Sequence, residues 1–212
     1  RELVTEGLGV LSFDFTGLGD SDGEFTDSSF ATQAADLLSA VEYLKTTYGS
    51  GPAIMVGHSL GGTATLYAAR QVEELAGVAT IGAPSDPAHV TQLFDCELEE
   101  IEASGEARVS IGGRPFSIRK EFVDDLKAHP PAQWLGELRT RLMIFHSPVD
   151  QVVDISNARD IYGAVKHPKS FVSLDQADHL LSRPADARHV ARVLAAWADS
   201  FLPEAAQAGT RN

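Results

Sequence analysis

The sequence contains little cysteine, and this shortage limits both its chemistry and its setting. Among 212 residues there is one cysteine, Cys96, so an internal disulfide cannot form. Cys96 lies in the stretch FDCELEE, where neighbouring carboxylates disfavour a thiolate, and we expect it to be unreactive. Single-cysteine chains are typical of reducing compartments, so the sequence predicts a cytoplasmic protein.

Positive charge is also scarce. The chain has 17 Lys and Arg against 30 Asp and Glu, which gives a net charge of −13 and an isoelectric point near 4.8. Such a chain lacks the basic clusters that bind a phosphate backbone or an anionic membrane. Apolar runs stay below the roughly 18 residues of a membrane span, and the first residues do not show a signal-peptide pattern. We therefore expect neither a nucleic-acid partner nor a membrane association.

The chain does contain short apolar runs that alternate with helical patterns. Hydrophobic residues make up 43% of the sequence, enough for a sizeable core. Apolar strands that are each followed by a helix indicate a mostly parallel sheet with helices on both faces. The predicted strands are 9–15, 53–57, 77–84, 141–146 and 170–175. The predicted helices are 30–49, 62–72, 155–165 and 186–202.

Residues 85–140 interrupt this alternation. The segment 107–118 alternates around Gly112 and Gly113, which predicts a hairpin, and a short helix is predicted at 119–128. We interpret 85–140 as a small hairpin-plus-helix lid inserted in one domain that spans 1–202, followed by a linker or tail at 203–212. The lid aromatics either shape an apolar acyl pocket or form the core of the lid: Phe94, Phe116, Phe122 and Trp134.

The stretch GHSLG fits a catalytic nucleophile. It has the pattern Gly-x-Ser-x-Gly and lies between a predicted strand and a predicted helix, the context of a nucleophile elbow. Gly57 and Gly61 are expected to leave room for a sharp turn that exposes Ser59 Oγ. The N–H of Leu60, at the positive end of the next helix, is the predicted oxyanion donor. The alternative is a serine that only caps the helix.

A serine nucleophile needs a base, and the base needs an orienting acid. Asp150 follows the strand 141–146, and His179 follows the next strand, which completes the chain order Ser, acid, His. Together with Ser59 they form the predicted catalytic triad. Other carboxylates have competing interpretations: Asp86 as an alternative acid, Asp154 as a helix cap, and Asp175 and Asp178 as turn residues.

The remaining histidines are expected to be structural or surface residues rather than catalytic ones. His58 is expected to pack beside the nucleophile, and His146 to be a support or to face solvent. The others are interpreted as structural or surface residues: His89, His129, His167 and His189. They do not share metal-ligand spacing, and neither a metal nor a cofactor is expected.

Four stretches together resemble the α/β-hydrolase superfamily: FDFTGLGDSDG, GHSLGG, FHSPVDQVVDI and ADHLL. The first two also resemble the hydrolase half of bacterial proteins that carry a fused OsmC-like domain. The resemblance implies the α/β-hydrolase fold and a cofactor-free, esterase-like serine hydrolase with Ser59, Asp150 and His179 as triad. It also implies a fused C-terminal OsmC-like partner domain, which the linker-like tail fits.

The family pattern contains one part without a counterpart here. An early strand and its glycine-containing loop should precede the first helix and supply the second oxyanion-hole N–H. The sequence from Arg1 onward does not contain this strand. Either the strand lies upstream of Arg1, where the second donor is then expected, or the protein lacks it. We expect hydrolysis of small or medium acyl esters of small molecules. A peptidase or thioesterase with the same triad and a non-catalytic binding module remain alternatives, and a homodimer is compatible with the sequence.

Overall fold

The computed structural model describes residues 2–111 and 114–202. The strands are β1 Ile54–His58, β2 Gly77–Ile81, β3 Glu106–Ile111, β4 Arg114–Arg119, β5 Arg141–His146 and β6 Lys169–Ser173. The helices are α1 Glu2–Thr5, α2 Phe30–Tyr48, α3 Leu60–Ala69, α4 Leu98–Ser104, α5 Lys120–Ala128, α6 Ser156–Ala164 and α7 Pro184–Asp199. Turns of 3-10 helix lie at Phe25–Asp27, Pro87–Glu97, Pro131–Gln133 and Leu135–Glu137.

The main sheet has four parallel strands in the order β1-β2-β5-β6. Its strands correspond to four of the five predicted ones, with shifts of a few residues at their ends. Parallel strands that are linked by helices place all their carboxyl ends along one edge of the sheet. Ser59 directly follows β1 at that edge, and the loops after β5 and β6 begin there as well.

The two central strands, β2 and β5, are buried on both faces, as the apolar runs predicted, whereas the outer strands β1 and β6 carry exposed side chains. On β2, Val78 belongs to one hydrophobic cluster and Ala79 to the other, and Ile144 and Phe145 alternate in the same way on β5. Helices α2, α3 and α6 cover the first face, whereas α7 covers the second, with Leu3 of α1 packed at its margin. Each large apolar side chain so buried contributes about 1.5–3 kcal/mol to stability.

The predicted strand at 9–15 was wrong for the described structure. These residues form neither a helix nor a strand, and they pair with no strand in the described ranges. Val10, Leu11 and Phe13 are exposed large hydrophobics. An apolar run becomes a strand only when a neighbour accepts its backbone hydrogen bonds. Here the run has the composition of a buried strand without such a neighbour.

The lid contains the predicted hairpin and helix, and more helix than the sequence indicated. β3 and β4 pair antiparallel, while the predicted turn at Gly112 and Gly113 lies outside the described residues, as does the tail 203–212. Helix α4 and the 3-10 turns lie where the sequence predicts irregular structure. Three of the four lid aromatics are almost completely buried in the same hydrophobic cluster as α2, α3 and the sheet, which favours a core role over a pocket lining: Phe94, Phe122 and Trp134.

The lid also stabilises the start of α2. Ser29 caps this helix by accepting a hydrogen bond from the N–H of Thr32, and the Thr32 hydroxyl accepts one from the N–H of Ser29. Asp125 of α5 adds a third contact, because its Oδ2 accepts a hydrogen bond from the N–H of Ala31 at 3.0 Å. Such caps contribute about 1 kcal/mol each.

Across the described ranges, none of the helices has the length and apolar character to cross a bilayer.

Candidate active site

The nucleophile elbow is a sharp turn between β1 and α3. Ser59 has a φ of 53°, a left-handed conformation that residues with a side chain rarely adopt. Its N–H donates to the carbonyl of Ile81 on β2 at 2.9 Å, and its carbonyl accepts from the N–H of Gly62 at 2.8 Å. These bonds hold the strained turn, and the next residue, Leu60, begins α3.

Two glycines allow α3 to pack closely against β1 and the chain after β2. The sequence pattern predicted Gly57 and Gly61 for this role, but only Gly57 has it together with Gly62. A methyl group added at Gly57 would overlap the backbone of Gly61 and Gly62. At Gly61 the added group would only reach ordinary contact, 3.5 Å from the ring of Phe15. At Gly62 it would lie 2.7 Å from Cβ of Ala83. Close packing therefore requires Gly57 and Gly62, so the sequence pattern missed Gly62 and overstated Gly61.

The structure brings the three predicted triad residues together. Ser59 Oγ lies 3.1 Å from Nε2 of His179, and Nδ1 of His179 lies 2.8 Å from Oδ2 of Asp150. A carboxylate can only accept a hydrogen bond, so Nδ1 carries the hydrogen and donates it to Asp150. Nε2 is then unprotonated and can accept the hydroxyl hydrogen of Ser59.

Asp150 is held as a buried anion. Burial opposes its charge, but the N–H groups of Val153 and Val152 and the ring of His179 donate to it, and the net effect is to lower the pKa of Asp150. The two backbone bonds reach Oδ1 at 2.9 and 2.8 Å, which leaves Oδ2 free to face His179. Asp150 therefore stays charged near neutral pH and fixes the orientation of the imidazole.

The competing carboxylates are occupied elsewhere. Asp86 accepts from the N–H of Ala88 and caps the 3-10 turn that follows, and Asp154 accepts from the N–H of Ser156 at the start of α6. Asp175 accepts from the Ser173 hydroxyl, and Asp178 from the N–H of Ser182. None of these four carboxylates contacts the His179 ring in any hydrogen bond of the described residues.

Two further histidines lie beside the triad. His146 is fully buried and donates from Nε2 to the carbonyl of Val153 at 2.8 Å, with Asp150 Oδ2 3.9 Å away. It is therefore a support rather than a solvent-facing residue. The Nε2 of His58 lies 2.7 Å from the carbonyl oxygen of His179, and the two rings are 4.8 Å apart. Packing alone, the role expected for His58, does not describe this contact.

Gly82 is a second site residue that the sequence did not reveal. It follows β2 with a φ of +55°, and its N–H donates to the carbonyl of Phe145 at 2.9 Å. A methyl group there would lie 3.3 Å from both Asp150 Oδ2 and His179 Nδ1. The only signal in the sequence was a glycine at the end of a strand, which is also common where nothing packs closely.

The first turn of α3 supplies a donor for negative charge. Leu60 is the first residue of this ten-residue helix, and the first N–H groups of a helix lack partners within it. Its N–H is thus available beside Ser59 Oγ, at the positive end of the helix dipole.

Within the described ranges, no group of three or more His, Cys, Asp or Glu side chains is arranged to hold a metal ion.

The elbow, the triad and the parallel sheet agree with a comparison against known families. The model of the alpha/beta hydrolase family matches residues 1–210. The chain belongs to the alpha/beta hydrolase family. Its fold is accordingly the α/β-hydrolase fold, with a parallel sheet and flanking helices.

Individual proteins extend this comparison. A crystal structure of the esterase domain from a Rhodothermus marinus protein is 46% identical, with a TM-score of 0.74, and the match covers 94% of this chain and 78% of that one. The human mitochondrial palmitoyl-protein thioesterase ABHD10 is 40% identical over 85% of this chain, and its rat counterpart is 29% identical. The chain spans 60% and 62% of the length of these two relatives.

Proposed function

We propose that this alpha/beta hydrolase cleaves carboxylic esters of small molecules through an acyl-enzyme intermediate on Ser59. The observation that carries the proposal is the continuous chain of hydrogen bonds from Ser59 Oγ through His179 to Asp150, with distances of 3.1 and 2.8 Å. Its chemistry follows from this arrangement, because a serine hydroxyl becomes a competent nucleophile at neutral pH when a positioned base takes its proton.

In the first half-reaction, Nε2 of His179 accepts the proton of Ser59 while Oγ attacks the ester carbonyl carbon. The carbonyl oxygen becomes an oxyanion, to which the N–H of Leu60 donates; in the family pattern a second N–H completes the oxyanion hole. Asp150 stabilises the positive charge that His179 acquires. The imidazolium then gives its proton to the leaving alcohol as the C–O bond breaks.

In the second half-reaction, Nε2 of His179 takes a proton from water. The hydroxide oxygen attacks the acyl carbon, and the proton returns to Ser59 Oγ as the carboxylic acid leaves. Neither half-reaction requires a cofactor. The elbow favours both, because Ser59 is fixed by backbone bonds and does not have to be positioned during the reaction.

A thioester substrate is the second candidate, and the names of the curated relatives favour it. The human and rat proteins are described as palmitoyl-protein thioesterases, whereas the Rhodothermus marinus structure is described as an esterase domain. The same triad chemistry serves both substrates, since only the leaving group changes from an alcohol to a thiol. A peptidase would need the same residues to expel an amine.

The test pairs each acyl group with an oxygen and a sulfur leaving group. Purified protein is assayed with p-nitrophenyl esters and matching thioesters of increasing acyl length, and with aminoacyl p-nitroanilides. We expect the highest kcat/KM on short or medium esters; higher values on long-chain thioesters would support the second candidate. Ser59→Ala is the control and should lower kcat by about 10⁶-fold.

A non-catalytic binding module is separated from both by labelling. A fluorophosphonate probe should modify Ser59 in the wild-type protein and leave Ser59→Ala unlabelled. A folded wild-type protein that remains unlabelled would contradict the hydrolase proposal. The cytoplasmic setting, the homodimer and the fused OsmC-like domain stay predictions.

A further inference from the structure

We propose that His58 is a positioning residue for the base, and that its ring holds the backbone of His179 where the imidazole of His179 meets Ser59. The inference deepens the proposed function and rests on it. The two histidines are 121 residues apart in sequence, and the contact joins the strand that carries the nucleophile to the loop that carries the base.

The donor side of this contact is rigid. His58 is the last residue of β1 and pairs in register with Ile81 of β2, so its backbone is fixed by the sheet. Its Nε2 lies 2.7 Å from the carbonyl oxygen of His179. Because a carbonyl oxygen can only accept, Nε2 carries the hydrogen and donates it.

The acceptor side lacks regular structure. The chain between β6 and α7 closes on itself through local bonds, from the N–H of Ala177 to Leu174 and from the N–H of Leu181 to Asp178. Leu181 has a φ of 52°, a conformation that persists only where surrounding contacts impose it. Among the described backbone groups of this loop, the His179 carbonyl is joined by the His58 ring directly to β1.

The ring of His58 also confines the ring of His179. The two centroids are 4.8 Å apart with an interplanar angle of 45°. His58 is exposed on one side, and desolvation on its other side lowers its pKa, although its bond to the His179 carbonyl and the charge of Asp150 act in the opposite direction. A neutral His58 places no second cation beside His179 when His179 takes the proton from Ser59.

The decisive variants are His58→Phe and His58→Gln. Phenylalanine keeps a ring of similar size but cannot donate, whereas the glutamine amide nitrogen reaches about as far as Nε2. We expect His58→Phe to lower kcat about 10- to 100-fold, with KM changed less than about twofold, because a misplaced base slows the chemical step. His58→Gln should restore most of kcat. His189→Phe, the same change on the exposed face of α7, is the control and should keep wild-type kcat.

A second measurement does not depend on activity. Hydrogen exchange of the amides in residues 177–182, followed by mass spectrometry, should be faster in His58→Phe and close to wild type in His58→Gln. If exchange rises in this way while the wild-type protein hydrolyses none of the substrates above, the positioning role stands and the proposed function fails. If His58→Phe does not fold, His58→Asn, which is too short to reach the carbonyl, should show the same losses.

Wild-type kcat in a folded His58→Phe protein would overturn the positioning role. So would unchanged exchange of residues 177–182, or a His58→Gln protein as slow as His58→Phe.

Discussion

The backbone conformation that exposes Oγ of Ser59 to the base is also a strained one. Its left-handed φ of 53° points Oγ at His179, and a residue with a side chain adopts such a conformation at a cost of about 1–3 kcal/mol. The bonds from Ser59 to Ile81 and Gly62 and the packing of Gly57 hold the turn in place. The strain at Ser59 therefore lowers the free energy of unfolding of the protein.

This strain can be measured with two inactive variants. Ser59→Ala and Ser59→Gly both remove Oγ, but only glycine adopts a positive φ without a steric penalty. We expect Ser59→Gly to be more stable than Ser59→Ala by about 1 kcal/mol in urea unfolding. Equal stability, or a more stable alanine variant, would show that the turn is not strained at this residue.

Asp150 makes stability depend on pH in a direction that follows from its environment. Its pKa is lower in the folded protein than in the unfolded chain, where an aspartate titrates at about 3.9. Its contribution to stability is therefore complete above that value. It is lost as pH falls through the folded pKa, because the unfolded chain takes up its proton first.

The comparison of wild type with Asp150→Asn isolates this effect. The amide that replaces the carboxylate cannot titrate, so the difference in free energy of unfolding between the two proteins should be smaller at about pH 3 than at about pH 5. Urea unfolding at both pH values measures it. Turnover of the variant should fall by about 10⁴-fold at neutral pH, because an amide nitrogen facing His179 favours the wrong tautomer. A difference that grows toward acid pH would contradict the assignment.

The turn after β2 links the sheet to the triad through Gly82. Gly82→Ala should cost about 1–3 kcal/mol of stability because of its φ of +55°. The added methyl group, 3.3 Å from Asp150 Oδ2 and His179 Nδ1, should also lower kcat by about tenfold or more. Thermal unfolding and ester hydrolysis measure the two losses separately.

Gly49→Ala is the matched control for that turn. Gly49 ends α2 with a φ of +91°, and an added methyl group there would meet nothing within 4 Å. It lies before β1, toward the edge of the sheet opposite the strand ends that carry the site. We expect a comparable loss of stability with wild-type kcat. Equal kcat in the two alanine variants would mean that Gly82 is only a turn residue.

Helices and strands whose own residues carry an apolar period or a terminating glycine were predictable from the sequence. β5 was predicted at its observed bounds, and α2 was predicted to within one residue, because the apolar period and Gly49 mark it. Ser59, Asp150 and His179 were found from motif and order, and the structure brings them together. The predicted strand at 9–15 was wrong because a strand forms only beside a partner strand, and the segment does not encode its partner. Gly62, Gly82 and the His58 contact depend on distances between distant elements and carry no local pattern.

The whole molecule combines a large negative charge with an outer strand, β6, that is paired on one side. Among the described strands β6 pairs only with β5, and it carries an exposed apolar side chain, Phe171. Exposed edges favour association between copies, because unpaired backbone groups can add a strand. The net charge of −13 acts against it, since copies of the chain repel each other.

Salt should decide between these two tendencies. Raising the ionic strength from about 0.01 M to about 1 M shortens the Debye length from about 30 Å to about 3 Å, which removes most of the repulsion but leaves the apolar contact intact. We therefore expect the average mass of this chain in sedimentation velocity to increase with salt. Phe171→Lys, which places a charge on the outer strand β6, should reduce that increase. A mass that is independent of salt, or one that falls as salt is added, would exclude edge association as the basis of the predicted homodimer.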